Sequence, residues 1–223
     1  MIIAIDTSSA VSVIGIGDTD GPGPSARAEG SRRHAEEIDT LFASTIAPAL
    51  THQAQVRAVA VGIGPGPYSG LRVGIAFGIG LARAWNVPVI GVCSLDVRAW
   101  QVVDTGTAGD GSEFAVAADA RRHEVYWARY RNAGLLERTA GPTVVESLPD
   151  ELVFHEIEID PAAMAVRVAR FMQEGCTPQQ IDADFVAHGD DASNFSLGPG
   201  PLFTATPLYL RKPDVTISAT GTP

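Results

Sequence analysis

Strands and helices alternate through the first part of this 223-residue chain, and that alternation predicts an α/β fold in two unequal lobes. Two further observations point to the second lobe. A glycine-rich run over 104–111 (DTGTAGDG) interrupts the alternation, and the order strand, Asp-containing turn, strand occurs once on each side of it. The expected division is an N-terminal lobe over 1–106 and a smaller, degenerate C-terminal lobe over 107–223. A chain of this length buries one good core or two modest ones.

Each element has its own signal. Ile2-Ile3-Ala4-Ile5 is a short apolar run suited to a strand buried on both faces. Asp6-Thr7-Ser8-Ser9 turns the chain and a second strand follows over 11–16, so the first hairpin carries hydroxyls and a carboxylate at its tip. GPGP at 21–24 predicts another turn, leading to a third strand over 26–29. A helix is expected over 31–50, with Ile38, Leu41, Phe42, Thr45, Ile46 and Ala49 on one face. Glu36, Glu37 and Asp39 suit its early turns, and Pro48 distorts or ends its last one. A buried strand over 56–63 runs into Gly64-Pro65-Gly66-Pro67-Tyr68-Ser69-Gly70, and a helix follows over 71–85. Next come a strand over 87–92 and a helix over 95–103 that Ser94 is expected to cap.

In the second lobe, strands are expected over 114–118 and 124–130, around the turn Asp119-Ala120-Arg121-Arg122. A helix is expected over 161–174, with Met164, Val168 and Phe171 on one side. From Asn194 onward Gly, Pro and Thr predominate apart from Leu208-Tyr209-Leu210, and a loose tail is expected beyond Asp214.

The formal net charge of −10 argues against this chain alone gripping a phosphate backbone, which needs clustered Lys and Arg. Cys93 and Cys176 stand far apart without C-x-x-C spacing, and Cys93 ends an apolar run as a small buried hydrophobe does. The N-terminus has no basic region and meets Asp6 early, so no signal peptide is expected. The most apolar stretch, 73–85, holds Arg83 and falls short of the ~20 residues that span a bilayer. A cytoplasmic protein without membrane contact is expected. His34, His52, His123, His155 and His188 show no H-x-x-x-H spacing, so neither a metal site nor a metallopeptidase is visible. Ser69 lacks the G-x-S-x-G elbow of hydrolases.

Three constellations bear on function. Asp6-Thr7-Ser8 is a hairpin tip of the kind that, in a two-lobed phosphotransferase shell, offers N–H groups to phosphate while the Asp reaches a hydrated metal. The same residues also make an ordinary turn. The second is GPGPYSGLRVG (64–74), whose glycines permit close backbone approach, although no Lys follows as in a P-loop. Gly70, Gly74 and Gly78 then recur at intervals of four, which marks a face that another element approaches closely, within the fold or across an interface. The third is Asp119-Ala120-Arg121, where a nucleotide clamp would need glycine. Ala120 and Arg121 place side chains there, and Arg121 suits either an anion, a cleft filler or an acidic neighbour.

Together IIAIDTSS, VGIGPGPYSGLRVGIAFGIGLA, DARRHEVYWARY and PLYLRKPDV resemble the bacterial TsaB (YeaZ) family, in order along most of the chain. His34 followed by Ala-Glu-Glu-Ile is similar to that family's R-H-S-E-x-L helix start. The resemblance implies an actin/Hsp70-like (ribonuclease H-like) fold of mixed sheets flanked by helices. It implies a non-catalytic partner of a TsaD-like catalytic subunit, joined by a TsaE-like ATPase, in making threonylcarbamoyladenosine on tRNAs reading ANN codons. ATP and a metal ion are then expected on the partner subunits and no cofactor on this chain, with tRNA met only through the complex and a homodimer formed when the chain is alone. The implied interface comprises His34, Ile38, Leu41, Leu71, Arg72, Val73, Gly74, Ile75, Phe77 and Gly78, and Asp6, Thr7 and Ser8 would be a vestigial nucleotide site. One departure from the family lies between Glu146 and Pro161, where a glycine-rich D-G-A segment gives way to ELVFHEI (151–157). The reading from a different class is a free-standing actin-fold ATPase or kinase, which needs Mg-ATP held by both hairpins.

Overall fold

A computed structural model describes residues 1–29, 33–50, 55–148, 154–155, 157–179 and 201–210. The expectations for residues 31 and 32, His52, residues 151–153, His188, the stretch from Asn194 to residue 200 and the tail beyond residue 210 lie outside that set. The fold is the mixed α/β architecture expected, with two sheets flanked by helices.

The first sheet has the order β3-β2-β1-β4-β5. β1 (Ile2–Asp6) and β4 (Ala58–Gly64) are parallel central strands, buried at every residue as their continuous apolar runs require. β2 (Val11–Asp18) returns antiparallel to β1, and β5 (Val89–Cys93) runs parallel to β4. β3 spans Gly21–Glu29, so the GPGP segment lies inside a strand and does not form the turn expected of it. An edge position explains the tolerance, because Pro22 and Pro24 need donate no hydrogen bond outward.

The expected long helix over 31–50 is three pieces: α1 (His34–Leu41), a π-helical turn (Phe42–Ile46) and a 3-10 turn (Ala47–Ala49). Thr40 and Ser44 hydroxyls donate to the carbonyls of Glu36 and Thr40, four residues back, at 2.8 and 2.7 Å. Such bonds compete with the helix ladder, and Pro48 removes a donor from the final turn. α2 (Tyr68–Trp85) begins three residues earlier than expected and ends on Asn86, which adopts the left-handed conformation of a helix cap (φ 54°).

Side-chain alternation along the central strands divides the core. Ile3, Ile5, Val59, Val61 and Ile63 face α1 and α2 through Ile38, Leu71 and Ile75. Ile2, Ala4, Ala58 and Ala60 face α3 (Ser94–Asp104) and α4 (Pro161–Gln173) through Val97, Trp100, Met164, Ala165 and Val168. Asp160 caps α4 by accepting from the N–H groups of Ala162 and Ala163, and Pro161 occupies the first helical position. Gly15 and Gly17 let α4 lie close: a Cβ at 15 would stand 2.8 Å from Ala162 N, and one at 17 would stand 2.9 Å from Ala162 O.

The second sheet is β8-β7-β6-β9. β6 (Glu113–Asp119) and β7 (Val125–Ala133) form the expected second hairpin. β8 (Leu135–Val145) has no counterpart in the sequence-based expectation, because Gly141-Pro142 breaks its pattern; its edge position accommodates both. In the region where the chain departs from the family pattern, β9 (Phe154–His155) pairs parallel to β6.

The division at 106/107 needs correction. α4 packs on the first sheet, and residues 201–210 also return to it: Phe203 exchanges both backbone hydrogen bonds with Gly91, and Leu208 N donates to Ile63 O at 2.7 Å. α4 and residues 201–210 therefore belong with the first lobe, and the second sheet lies in sequence between α3 and α4.

α3 is the wall shared by both sheets and is buried continuously from Ser94 to Trp100. Its Asp96 takes two hydrogen bonds from Arg138 Nη1, both 2.8 Å, and one from Tyr130 OH at 2.7 Å. Arg138 and Asp96 are only 6% and 8% exposed, so this ion pair joins the lobes away from water. Removing one partner from such a pair strands a buried charge. Arg138→Met is expected to lose about 3–5 kcal/mol in urea unfolding, and the double change Asp96→Leu/Arg138→Met to recover most of it.

Candidate functional site

The two hairpin tips face each other across a cleft of about 400 Å³ between the lobes. Asp6, Ser8, Ser9 and Pro67 line one side, Ala118, Asp119 and Arg121 the other, with Arg98 and 157–159 also lining it.

Asp6 is 2% exposed, and both of its carboxylate oxygens accept hydrogen bonds from within the chain. Oδ1 accepts from Ser8 N at 2.7 Å and from Ser8 Oγ at 2.6 Å; Oδ2 accepts from Ser94 Oγ at 2.7 Å. Ser94 Oγ also accepts from Gly64 N at 3.2 Å, so its hydroxyl ties β4 to Asp6 and does not cap α3 as expected. A methyl at Gly62 would fall within the Asp6 carboxylate. The signal for this was available in the sequence, as a glycine inside a buried strand marks close approach by another group.

The glycine-rich constellation packs directly onto this tip. Thr7 Oγ1 donates to Gly70 O at 2.7 Å and accepts from Gly74 N at 3.2 Å. A Cβ at Gly70 would sit 2.5 Å from Thr7 O, one at Gly74 would overlap Thr7 Oγ1, and one at Gly66 would overlap the Ser8 carbonyl. Gly78 gives the same room to Val61. The face formed by Gly70, Gly74 and Gly78 is therefore internal, and it meets the hairpin and sheet of its own chain.

The residues expected at the interface divide between the interior and the surface of the chain. His34, Ile38, Leu71, Gly74, Ile75 and Gly78 are buried in the chain's own core, where they hold α1 and α2 on the sheet. Leu41, Val73 and Phe77 are half-buried and Arg72 is exposed. Phe77 and Trp85 gather around Phe42, with ring centroids 5.8 and 6.1 Å from it. Arg72 lies over the Tyr68 ring at 4.0 Å and donates to Tyr209 OH at 3.0 Å. One residue missed by sequence reasoning stands out on this outer face. Gly80 is exposed, and among the described residues nothing lies within 4 Å of where its Cβ would be.

His34 is buried at the start of α1. Ser12 Oγ donates to Glu37 Oε2 at 3.0 Å and lies 2.7 Å from His34 Nδ1, which then donates to the hydroxyl. Burial holds His34 below the usual imidazole range; Glu37 pulls it up, Arg121 lowers it further, and Asp6 opposes. At the second tip Ala120 is buried in the core, and Asp119 Oδ1 accepts from Arg121 N at 2.7 Å. Burial pushes the Cys93 thiol up to about 12, with Asp96 adding to the rise, so it is no nucleophile. Among the described residues no three His, Cys, Asp or Glu side chains converge on a metal position, and no helix is long and apolar enough to cross a membrane.

Two measurements check this geometry. Gly74→Ala is expected to lose about 1–3 kcal/mol by overpacking against Thr7, and Thr7→Ala combined with it should recover part, a non-additivity readable by denaturant titration. For His34, the unfolded chain protonates near the ordinary value of about 6.5 and the folded chain lower. The unfolded state therefore binds more protons in that window, and stability falls as pH drops through it. The difference in unfolding free energy between wild type and His34→Gln should shrink or reverse from pH 7 to pH 5.

Comparison with known proteins agrees with this architecture. The family model described as TsaD, tRNA N6-adenosine threonylcarbamoyltransferase, matches residues 27–198. A protein of Mycobacterium tuberculosis is 39% identical over 82% of this chain and 78% of its own length. One of Mycobacterium leprae is 36% identical over 96% of this chain, which spans about half (55%) of that relative. The TsaB protein of Escherichia coli is 33% identical over 45% of this chain and 42% of its own length. The solved structure of YeaZ from Pseudomonas aeruginosa superposes with a TM-score of 0.62 at 24% identity, covering 78% of this chain and 92% of that one, and so shares its actin-like fold. An α/β shell with these hairpins and the matching family model lead to one assignment: the chain belongs to the TsaD-type threonylcarbamoyltransferase family, on its TsaB (YeaZ) branch.

Proposed function

We propose that this chain is a non-catalytic subunit in the synthesis of N6-threonylcarbamoyladenosine at position 37 of tRNAs reading ANN codons, where it binds and activates a TsaD-like catalytic subunit. The observation that carries the reading is the state of Asp6. Both oxygens of the Asp6 carboxylate accept hydrogen bonds from Ser8 and Ser94, and the opposite tip has Ala120 and Arg121 where a clamp needs glycine. ATP and a metal ion belong, on this reading, to the partner subunits, with a TsaE-like ATPase completing the assembly.

The partner surface proposed is the outer face of α1 and α2: Leu41, Phe42, Val73, Phe77 and Trp85, with Arg72 at one end and the small exposed residues Ala76 and Gly80 between them. A mid-helix glycine at an exposed site costs about 1 kcal/mol relative to Ala, and among the described residues no neighbour uses the space at Gly80. A partner helix lying against it would. The same face would carry a homodimer when the chain is alone.

The test is Gly80→Arg rather than Gly74→Arg, because a side chain at 74 would collide with Thr7 and unfold the protein for unrelated reasons. Gly80→Arg should keep or raise the thermal midpoint while co-elution with the catalytic subunit, and tRNA modification by the mixture, fall at least tenfold. Undiminished co-elution would exclude this surface. Modification of tRNA by the chain alone would exclude the non-catalytic role. The competing reading, a free-standing ATPase or kinase using the cleft, requires Mg-ATP binding without partners, which calorimetry decides.

A further inference from the structure

We propose that a second cavity, enclosed by α3, α4 and the β7–β8 hairpin, binds a small organic cation with an aromatic or apolar body, and that this ligand braces the two lobes. The site shares no lining residue with the cleft between the hairpin tips.

The cavity holds about 290 Å³, at the lower end of the roughly 300–1,000 Å³ typical of small-molecule sites. Asp96, Trp100 and Val103 line it from α3. Their spacing of four and three residues puts them on one face of that helix. Arg98, which lines the cleft, is turned roughly 200° from Asp96, so the two hollows lie on opposite sides of the same helix. Arg167, Phe171 and Glu174 repeat the spacing along α4 and its C-terminal cap, while Tyr130, Leu136 and Arg138 come from the second sheet. Both lobes therefore supply walls.

The chemistry of those walls selects the ligand. Trp100 and Phe171 meet at 59° with ring centroids 5.3 Å apart, and the faces of such rings attract cations. The guanidinium groups that line the cavity are engaged by carboxylates, Arg138 by Asp96 and Arg167 by Asp104. Asn132 also lines it, and its amide nitrogen donates to Ala108 O at 3.1 Å and Gly109 O at 3.2 Å. What this amide can still offer is its acceptor oxygen. Glu174 is exposed at the end of α4, and among the described residues its carboxylate has no hydrogen bond or ion pair. Asp96, Asp104 and Glu174 thus outnumber Arg138 and Arg167 by one negative charge. An anion would have to displace a carboxylate from one of the arginines. A cation needs only the acceptors that remain.

The experiment titrates the full chain by calorimetry with three probes that differ in their head group: phenethylamine, 2-phenylethanol and phenylacetate. Phenethylamine is expected to bind with a Kd of about 1 mM or tighter and to raise the thermal midpoint, as a ligand of the folded state must. The alcohol and the carboxylate should bind at least about tenfold more weakly, since they lack the charge that aromatic faces and carboxylates attract. Glu174→Gln, a change at an exposed position, should weaken phenethylamine about threefold to fivefold. Phe171→Leu keeps an apolar wall without its ring and should cost about threefold. Equal affinity for the three probes would overturn the assignment to a cation. Phenethylamine binding unchanged in both variants would place the ligand elsewhere and overturn the site, as would no binding at about 10 mM probe. None of these readouts involves tRNA or a partner subunit, so the proposal stands or falls apart from the role in tRNA modification.

Discussion

Helix α2 approaches the β1–β2 turn more closely than any Cβ would permit, and the arrangement of the first lobe depends on that approach. Thr7 is clasped by the carbonyl of Gly70 and the N–H of Gly74, while Gly66 and Gly78 make room for Ser8 and Val61. The hydrogen bonds across this contact run between the Thr7 side chain and the backbone of α2. A threonine hydroxyl spans the gap. Once α2 is fixed there, β4 follows it, Ser94 at the start of α3 reaches Asp6, and α3 in turn presents Asp96 to the second sheet. A single chain of contacts therefore runs from the first hairpin through two helices to the other lobe.

The same contacts account for the inert appearance of the cleft. In a shell that handles nucleotide, the first carboxylate keeps an open coordination position and the second tip closes by backbone alone. Here the Asp6 carboxylate is a structural acceptor, buried and held by two serines, and freeing it would leave Ser94 Oγ, Ser8 Oγ and Ser8 N without their acceptor. The binding geometry has become part of the packing. The second hairpin carries Ala120 into the core and sets Arg121 at the rim of the cleft.

Much of this was legible in the sequence, for identifiable reasons. The continuous apolar runs of β1 and β4 encode strands buried on both faces, and the four-residue spacing of Gly70, Gly74 and Gly78 encodes a close-approach face. What the spacing could not encode is which element makes the approach, because a hairpin turn and a partner helix ask the same thing of a helix surface. Gly74, Ile75 and Leu71, which the family resemblance put at an interface, lie buried within this chain's own core. β8 was hidden for another reason: Gly141-Pro142 is a turn signal in any local reading, and only its place at a sheet edge makes a strand of it. The role of Ser94 was hidden by proximity, since a serine before a helix looks like a cap until Asp6 is brought across 88 positions of sequence.

Gly80 resolves the ambiguity in the other direction. Its inner neighbours on α2 are explained by atoms of the same chain, and once they are accounted for, the remaining exposed glycine has no justification among the described residues. A residue that lowers helix stability and relieves no clash within the fold is informative because the usual structural account has been exhausted. It lies beside half-buried Phe77 and Leu81 on a helix whose opposite side is already committed to the sheet. A surface that combines exposed small residues with partly covered aromatic ones suits a second helix, which needs both a place to come close and apolar area to bury. The physical division of α2 into an inner glycine row that builds the lobe and an outer small-residue row proposed to receive a partner separates what a single motif had merged.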